Sequence, residues 1–236
     1  MINFEDKEIS KAINILDSIS DKLRYEKICQ LDESQKITYK KFLEKFKQLH
    51  NTSAKFADTP KNLHNLKGAA LEDLVSYLLT ISGGIFHVDR NLRTSTNEID
   101  QIVSLSPKGK ILLGHHLIDD KLENFLGECK NYDKSISVTY VGKFCSLLLT
   151  NHIKIGILFS YYGSSGNGWN NGAGLIKKFY LHKEKLEDRY CIIDFSIKEF
   201  DAILSGENLL QIIDKQLKSL QFDTDYSRYL SKHPAE

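Results

Sequence analysis

The stretch Phe125-Leu126-Gly127-Glu128-Cys129-Lys130-Asn131 decides how this chain is interpreted. Its apolar character predicts a buried β-strand on which a carboxylate and a lysine stand two residues apart. Because side chains alternate across a strand, Glu128 and Lys130 point to one face while Cys129 points into the opposite layer. Two charges side by side in an apolar setting are costly unless they pair well or a ligand uses them. The strand is therefore a candidate functional site as well as a core element.

Two acidic residues upstream also interrupt apolar patterns. The stretch Thr96-Asn97-Glu98-Ile99-Asp100-Gln101-Ile102-Val103 reads as a second strand, and Lys67-Gly68-Ala69-Ala70-Leu71-Glu72 starts a helix. Gly68, Glu72 and Ser76 fall four residues apart, so Glu72 lies in a stripe of small residues on one helix face. Three acids and one lysine in apolar settings indicate metal-dependent phosphodiester chemistry.

Each charged residue has a candidate role in that chemistry. Asp100 and Glu128 offer hard carboxylate oxygens to Mg²⁺, which takes few protein ligands and keeps several waters, and the backbone carbonyl of Cys129 is a third candidate ligand. Lys130 is expected to position the attacking water or to stabilise transition-state charge, whereas a role as base requires a lowered pKa. Glu72 is expected to hold a metal-bound water or to help bind a second ion. The expected cofactor is Mg²⁺, with Mn²⁺ as a substitute.

In their order along the chain, these motifs resemble those of the PD-(D/E)XK nucleases, and within them the Mrr-type restriction-endonuclease-like branch. The resemblance rests on Gly68-x-x-Leu71-Glu72, Asn97-Glu98-Ile99-Asp100 and Glu128-Cys129-Lys130-Asn131, and it covers residues 65–195. Ile99 stands where the family's proline precedes the aspartate. The resemblance implies an α/β fold with a restriction-endonuclease-like core, in which helices flank a central mixed β-sheet. It also implies the same roles for the four charged residues.

The predicted activity is endonucleolytic hydrolysis of DNA phosphodiester bonds. The resemblance implies a restriction or anti-phage defence effector, acting as a homodimer or with a partner sensor or motor subunit. A junction-resolvase-like nuclease of DNA repair or recombination is an alternative, and it needs a symmetric dimer to place two sites on two strands. A non-cleaving DNA-binding scaffold subunit is another. Its nuclease-like core would only grip duplex, and the intact Asp100, Glu128 and Lys130 count against it. Without any functional site, Glu128 and Lys130 would form ordinary ion pairs with neighbouring strands and Glu72 would be a solvated helix residue.

Composition limits the setting of this activity. The chain has 236 residues, of which 41% are hydrophobic and 27% charged, as in ordinary soluble globular proteins. Its formal net charge of +1 provides no global positive field, so DNA affinity has to come from a local patch. The four cysteines lack C-x-x-C spacing, which favours reduced thiols and a cytoplasmic location. No apolar run approaches the length of a membrane span, and the acidic N-terminus is unlike a signal peptide.

Periodicity divides the chain into three regions. Residues 1–58 are predicted to form an N-terminal helical appendage, residues 59–220 the nuclease-like domain, and residues 221–236 a C-terminal tail. Within the domain, the pattern predicts helices over residues 63–81, 138–149 and 175–187, one or two helices over 197–220, and strands over 85–93, 97–105, 122–130, 153–160 and 190–195. The helix over 138–149 implies a crossover between two parallel strands.

Several further residues are weaker candidates. Lys40 and Lys41 lie in a lysine-rich helix that either meets phosphates or forms a solvated face. Asn131 caps the end of its strand or touches DNA, and Lys143 lies on the polar face of its helix, where it meets a phosphate. The glycine-rich loop around Trp169 either orders over DNA or packs that side chain against the domain. The connection over residues 107–120, with its adjacent histidines, is predicted to hold no metal.

Overall fold

A computed structural model of the chain describes Lys11 and residues 25–52, 62–93, 98–166 and 170–222. The helices of these residues are α1 (Tyr25–Ile28), α2 (Glu33–Asn51), α3 (Leu63–Ile81), α4 (Pro107–Gly114), α5 (Val138–Thr150), α6 (Gly172–Leu181), α7 (Ile197–Leu204) and α8 (Leu209–Phe222). The strands are β1 (Phe86–Arg93), β2 (Glu98–Leu105), β3 (Asn124–Lys130), β4 (Ile155–Ser160) and β5 (Cys191–Phe195). Short 3₁₀ turns cover Asp120–Leu122 and Leu186–Asp188.

The five strands form one mixed sheet in the order β1-β2-β3-β4-β5. β1 and β3 both run antiparallel to β2, whereas β3, β4 and β5 run parallel to one another. The predicted α/β class, with a mixed sheet flanked by helices, is confirmed. The predicted crossover is also confirmed. β3 and β4 are parallel neighbours, and the helix α5 connects them in the chain.

Hydrophobic layers cover both faces of the sheet. The first contains Leu71 and Leu74 of α3 together with Phe125 and Cys129 of β3. The second contains helix α5 and Leu126 of β3. Successive residues of β3 thus enter opposite layers, as strand geometry requires. Cys129 therefore faces away from Glu128 and Lys130, as predicted.

Helix α2 belongs to the first of these layers. Its buried side chains Tyr39, Leu43 and Phe46 join the cluster that contains the strand residues, and the Tyr39 hydroxyl donates a 2.9 Å hydrogen bond to the carbonyl of Phe200. The predicted boundary at residue 58 therefore does not separate two cores in the part of the chain that is described. Residues 53–61, which contain most of the predicted linker, lie outside that part.

Capping residues fix where helices begin. Ser106 caps α4, whose first residue is Pro107, so the predicted connection over residues 107–120 opens with a helix. His115 and His116 follow that helix and are exposed. The predictions made for Trp169 and for residues after 222 fall outside the described residues. None of the described helices has the length and apolarity that crossing a membrane requires.

Candidate active site

A cleft of about 420 Å³ opens where β2 and β3 separate. Pairing between these strands ends at Gln101 opposite Gly127, although β2 extends back to Glu98 and β3 forward to Lys130. The cleft is lined by three of the four predicted catalytic residues and by their neighbours: His64, Asn65, Gly68, Ala69, Glu72, Asp100, Cys129, Lys130, Asn131 and Tyr132. The fourth, Glu128, contacts the lysine.

Asp100 lies in the gap between the separated strands. Its Oδ2 atom accepts a hydrogen bond of 2.7 Å from the backbone N–H of Cys129 and one of 3.3 Å from Lys130 Nζ. The Asp100 carboxylate thus accepts a hydrogen bond from a backbone N–H of β3 at a point where β2 and β3 no longer pair. These bonds fix the orientation of a side chain that is only 14% exposed.

Lys130 lies between two carboxylates. Its Nζ is 2.7 Å from Glu128 Oε1 and 3.3 Å from Asp100 Oδ2. Burial by itself would lower the pKa of Lys130, but the charges of Glu128 and Asp100 outweigh it and raise that pKa well above its ordinary value. The side chain is therefore a stable cation at neutral pH, which argues against the role of base that required a lowered pKa.

Glu72 reaches the cleft from α3. Its Oε2 atom is 3.4 Å from the guanidinium of Arg90 on β1, and Arg90 also donates a 3.1 Å bond to Asp73. Arg90 restrains Glu72 at the edge of the cleft. Arg90 was not among the predicted site residues, because an arginine on a strand has the same local pattern as any exposed strand residue.

Gln101 ties the helix that carries Glu72 to the strand that carries Asp100. Its Nε2 donates to the backbone carbonyl of Glu72 at 3.3 Å and to Ser76 Oγ at 3.1 Å. The side chain is fully buried, and its Oε1 has no hydrogen-bond partner among the described residues. This role was not predicted from the sequence. The available signal was that Gln101, two residues before Val103, shares the strand face of that apolar residue.

Asn131 connects the cleft to the end of α2. Its Oδ1 is 2.6 Å from Nδ1 of the buried His50, and its Nδ2 donates to the carbonyl of Lys67 at 2.9 Å. The His50 ring stacks on Tyr161, with 3.6 Å between ring centroids. Both polar groups of the Asn131 side chain thus have protein partners, so this predicted DNA contact is engaged in holding the end of β3.

The lysines predicted to meet DNA do not line the cleft. Lys40 and Lys41 are exposed on α2, and Lys40 lies 3.8 Å from Glu44 in an ion pair. Lys143 is exposed on α5, with its Nζ 5.3 Å from the ring centroid of Tyr140. A phosphate contact by any of these three side chains stays a prediction.

Burial and nearby charges both act on the Cys129 thiol, which lines the cleft. Burial, followed by the charges of Asp100, Glu72 and Glu128, raises the pKa of the Cys129 thiol well above its ordinary value. Burial is the largest cause of this rise; the three carboxylates add to it, and Lys130 opposes it.

The side chains present fit a Mg²⁺ ion in their chemistry. Asp100 and Glu128 both approach one ammonium, and hard carboxylate oxygens are the ligands that Mg²⁺ prefers. Among the described residues, no three His, Cys, Asp or Glu side chains lie close enough to share a metal ion. A bound Mg²⁺ would therefore rely on this carboxylate pair and on water, with the Cys129 carbonyl as a predicted further ligand.

No protein-family model, curated protein or solved structure matches this chain. The geometry and chemistry of the cleft therefore carry the functional argument.

Proposed function

We propose that this protein is a metal-dependent DNA endonuclease with a restriction-endonuclease-like core. The observation that carries the proposal is the convergence of Asp100 and Glu128 on Lys130, at an open cleft that Asp100, Lys130 and Glu72 line. These are the residues for which the resemblance to PD-(D/E)XK nucleases of the Mrr-type branch implies catalytic roles. An α/β fold with a five-stranded mixed sheet is compatible with such a core.

The proposed roles follow from the position of each side chain. Asp100 and Glu128 would hold Mg²⁺, which when bound supplies positive charge to the scissile phosphate. Lys130 remains protonated and donates to a phosphate oxygen, so that it stabilises the charge that develops in the transition state. Glu72 orients the attacking water by accepting its hydrogen bond. The bond from Cys129 N–H holds Asp100 in place for substrate.

Cleavage of supercoiled plasmid tests the proposal. Purified protein should nick plasmid with Mg²⁺ or Mn²⁺ and not with EDTA. Asp100→Asn and Lys130→Met should each lower the rate by at least about 100-fold, a typical loss when one group that stabilises transition-state charge is removed. Asp120→Asn and Lys134→Met are matched controls, because both residues are exposed and neither lines the cleft. Nicking that persists in Asp100→Asn would refute the assignment.

One observation favours the non-cleaving scaffold as a second candidate. Lys130 already forms an ion pair with each of the two carboxylates, as it would in a structural network that holds no metal. Titration of Mn²⁺ followed by electron paramagnetic resonance separates the two functions. The nuclease should bind Mn²⁺ at a site that Asp100→Asn removes, whereas a scaffold should bind none there.

The biological setting and assembly are part of the same proposal. The resemblance implies a cytoplasmic defence effector that acts as a homodimer or with a sensor or motor subunit. Expression of the wild-type chain should lower phage plating efficiency, and Asp100→Asn should not. Cutting both strands of a duplex generally needs two active sites, which a homodimer provides. Sedimentation velocity of the purified protein tests whether that homodimer forms.

A further inference from the structure

Two tyrosines extend the cleft beyond its charged residues. Tyr132 follows β3 and lines the cleft, and Tyr140 lies on α5 with 37% of its surface exposed. Their ring centroids are 5.2 Å apart at an interplanar angle of 49°. Burial, followed by the neighbouring Tyr140 hydroxyl, raises the pKa of Tyr132 to about 12. The contact with the Tyr140 ring holds the Tyr132 ring at the edge of the cleft.

A cation lies beside these rings. Lys143 Nζ is 5.3 Å from the centroid of the Tyr140 ring, and Lys143 itself is exposed. We refer to Tyr132, Tyr140 and Lys143 as the tyrosine patch. An aromatic surface next to an exposed lysine combines a stacking partner for a base with a charge for its phosphate.

The helix side of the cleft leaves room for a flat ring. Gly68 and Ala69 line it from α3, and a Cβ atom added at Gly68 would meet no heavy atom within 4 Å. The cleft volume of about 420 Å³ lies within the range of small-molecule pockets. Small side chains on α3 and the Tyr132 ring thus border a space that a nucleotide can enter.

The charges around the cleft disfavour a duplex. Two cationic side chains near it are paired with acids, Lys67 with Asp133 at 3.1 Å and Arg90 with Glu72 and Asp73. Duplex DNA presents a higher density of phosphate charge than a single strand. Bases in a duplex also stack on each other, so a base reaches a protein ring only when it is unpaired.

We infer that the tyrosine patch binds an unpaired base beside the phosphate on which the charged residues act. The substrate is then single-stranded DNA, or DNA with an unpaired region, rather than intact duplex. This inference rests on the proposed nuclease function and names its substrate class. It favours a nuclease that recognises DNA structure over one that reads a duplex sequence.

Fluorescence anisotropy with a labelled 12-nucleotide strand, and with the blunt duplex that it forms with its complement, tests the inference in EDTA. The wild-type protein should bind the single strand more tightly. Tyr132→Leu should weaken single-strand binding by about 5- to 100-fold, which is the loss of one base stack, and should leave duplex binding unchanged. Tyr132→Phe keeps the ring and should recover most of the affinity.

Phe222→Leu is the matched control, because this exposed aromatic residue at the end of α8 does not line the cleft. Tyr140→Leu provides a second test if circular dichroism shows that Tyr132→Leu is unfolded. Equal wild-type affinity for the strand and the blunt duplex would overturn the inference, and so would unchanged single-strand affinity in the folded variants. Tighter binding of single-stranded RNA of the same sequence would overturn the assignment to DNA.

The inference and the proposed function fail in different ways. Metal-dependent plasmid nicking without any effect of the tyrosine variants on single-strand binding overturns the inference alone. Single-strand binding that depends on Tyr132, with no cleavage of plasmid or single strand in Mg²⁺ or Mn²⁺, supports the binding site and overturns the proposed nuclease.

Discussion

At the scale of single residues, the site is organised by one ammonium between two carboxylates. Lys130 contacts Glu128 at 2.7 Å and Asp100 at 3.3 Å, and all three side chains are less than one-quarter exposed. Removing one partner of a buried ion pair leaves the other charge uncompensated, which costs more than the pair itself contributes. Removing the lysine should therefore expose the repulsion between the two acids.

Lys130→Met should lower the free energy of unfolding by about 2 kcal/mol, less than for a fully buried pair because water reaches the site. Addition of Mg²⁺ should raise the melting temperature of Lys130→Met more than that of wild type, because the ammonium no longer competes for the carboxylates. Thermal denaturation with and without Mg²⁺ measures both effects. Lys134→Met should behave as wild type, and equal Mg²⁺ shifts in all three proteins would contradict the prediction.

Asp194 is a second residue with an unusual environment. Its Oδ2 accepts from the backbone N–H of Ser164 at 2.8 Å and from the Ser164 hydroxyl, while Oδ1 is buried without a partner among the described residues. Burial raises the pKa of Asp194, against the opposing effect of the Ser164 hydrogen bonds. The Asp194 carboxylate thus anchors the loop after β4. Because ionising a buried carboxyl group costs free energy, the contribution of Asp194 to stability depends on pH.

Asp194→Asn should change the pH dependence of stability. A raised folded-state pKa means that the contribution of Asp194 is complete below the unfolded pKa of about 3.9 and is lost as pH rises through the folded-state value. The variant cannot titrate, so its stability relative to wild type should rise from pH 4 to pH 7, by on the order of 1 kcal/mol. Urea denaturation across this range measures the difference. The exposed Asp120→Asn is the control, and a constant difference for Asp194→Asn would exclude this account.

At the scale of elements, close contact between α5 and β4 supports the strand that neighbours the site. A Cβ atom at Gly156 would lie 2.6 Å from the Phe144 ring and 2.9 Å from Leu148, both on α5. Real Cβ atoms do not approach other heavy atoms so closely, so any larger residue would push the helix away from the sheet. Glycine is required at this position for packing rather than for backbone conformation.

Gly156→Ala should destabilise the protein by about 1–3 kcal/mol, the usual cost of overpacking. Gly114→Ala is the matched control, since a Cβ there meets nothing within 4 Å. That change at the end of α4 should be neutral or stabilising by up to about 1 kcal/mol. Chemical denaturation of both variants gives the comparison, and a neutral Gly156→Ala would show that α5 shifts freely.

At the scale of the whole molecule, α2 is part of the main core. Burial of Tyr39, Leu43 and Phe46 contributes about 1.5–3 kcal/mol for each side chain. Their sum is comparable with the total stability of an ordinary domain, about 5–15 kcal/mol. A chain without these residues would expose apolar surface of α3 and the sheet.

Deletion of residues 1–58 should therefore abolish cooperative folding. Thermal denaturation followed by circular dichroism should show one transition for the full chain and none for the truncated one. Within the full chain, Phe46→Ala should cost about 3–5 kcal/mol, whereas Phe222→Ala, at an exposed position, should cost little. A truncated protein with a sharp transition would instead establish residues 59–236 as an independent domain.

The sequence alone determined the class of fold and the residues of the candidate site. Apolar periodicity predicted the full length of α3 and the position of each strand, because the spacing of buried side chains follows from the local geometry of a helix or a strand. Charges within those apolar patterns identified Glu72, Asp100, Glu128 and Lys130, because a buried charge has few structural explanations.

Only the tertiary structure decided how these residues meet. The separation of β2 from β3, the bond from Cys129 to Asp100 and the placement of Tyr132 depend on pairing between distant segments. The raised pKa of Lys130 follows from two carboxylates converging on it, and spacing along one strand predicts only one of them. Likewise, α2 joins the main core through contacts that span more than 100 residues of chain. Local patterns carry no information about such contacts, because each arises only when distant segments pack together.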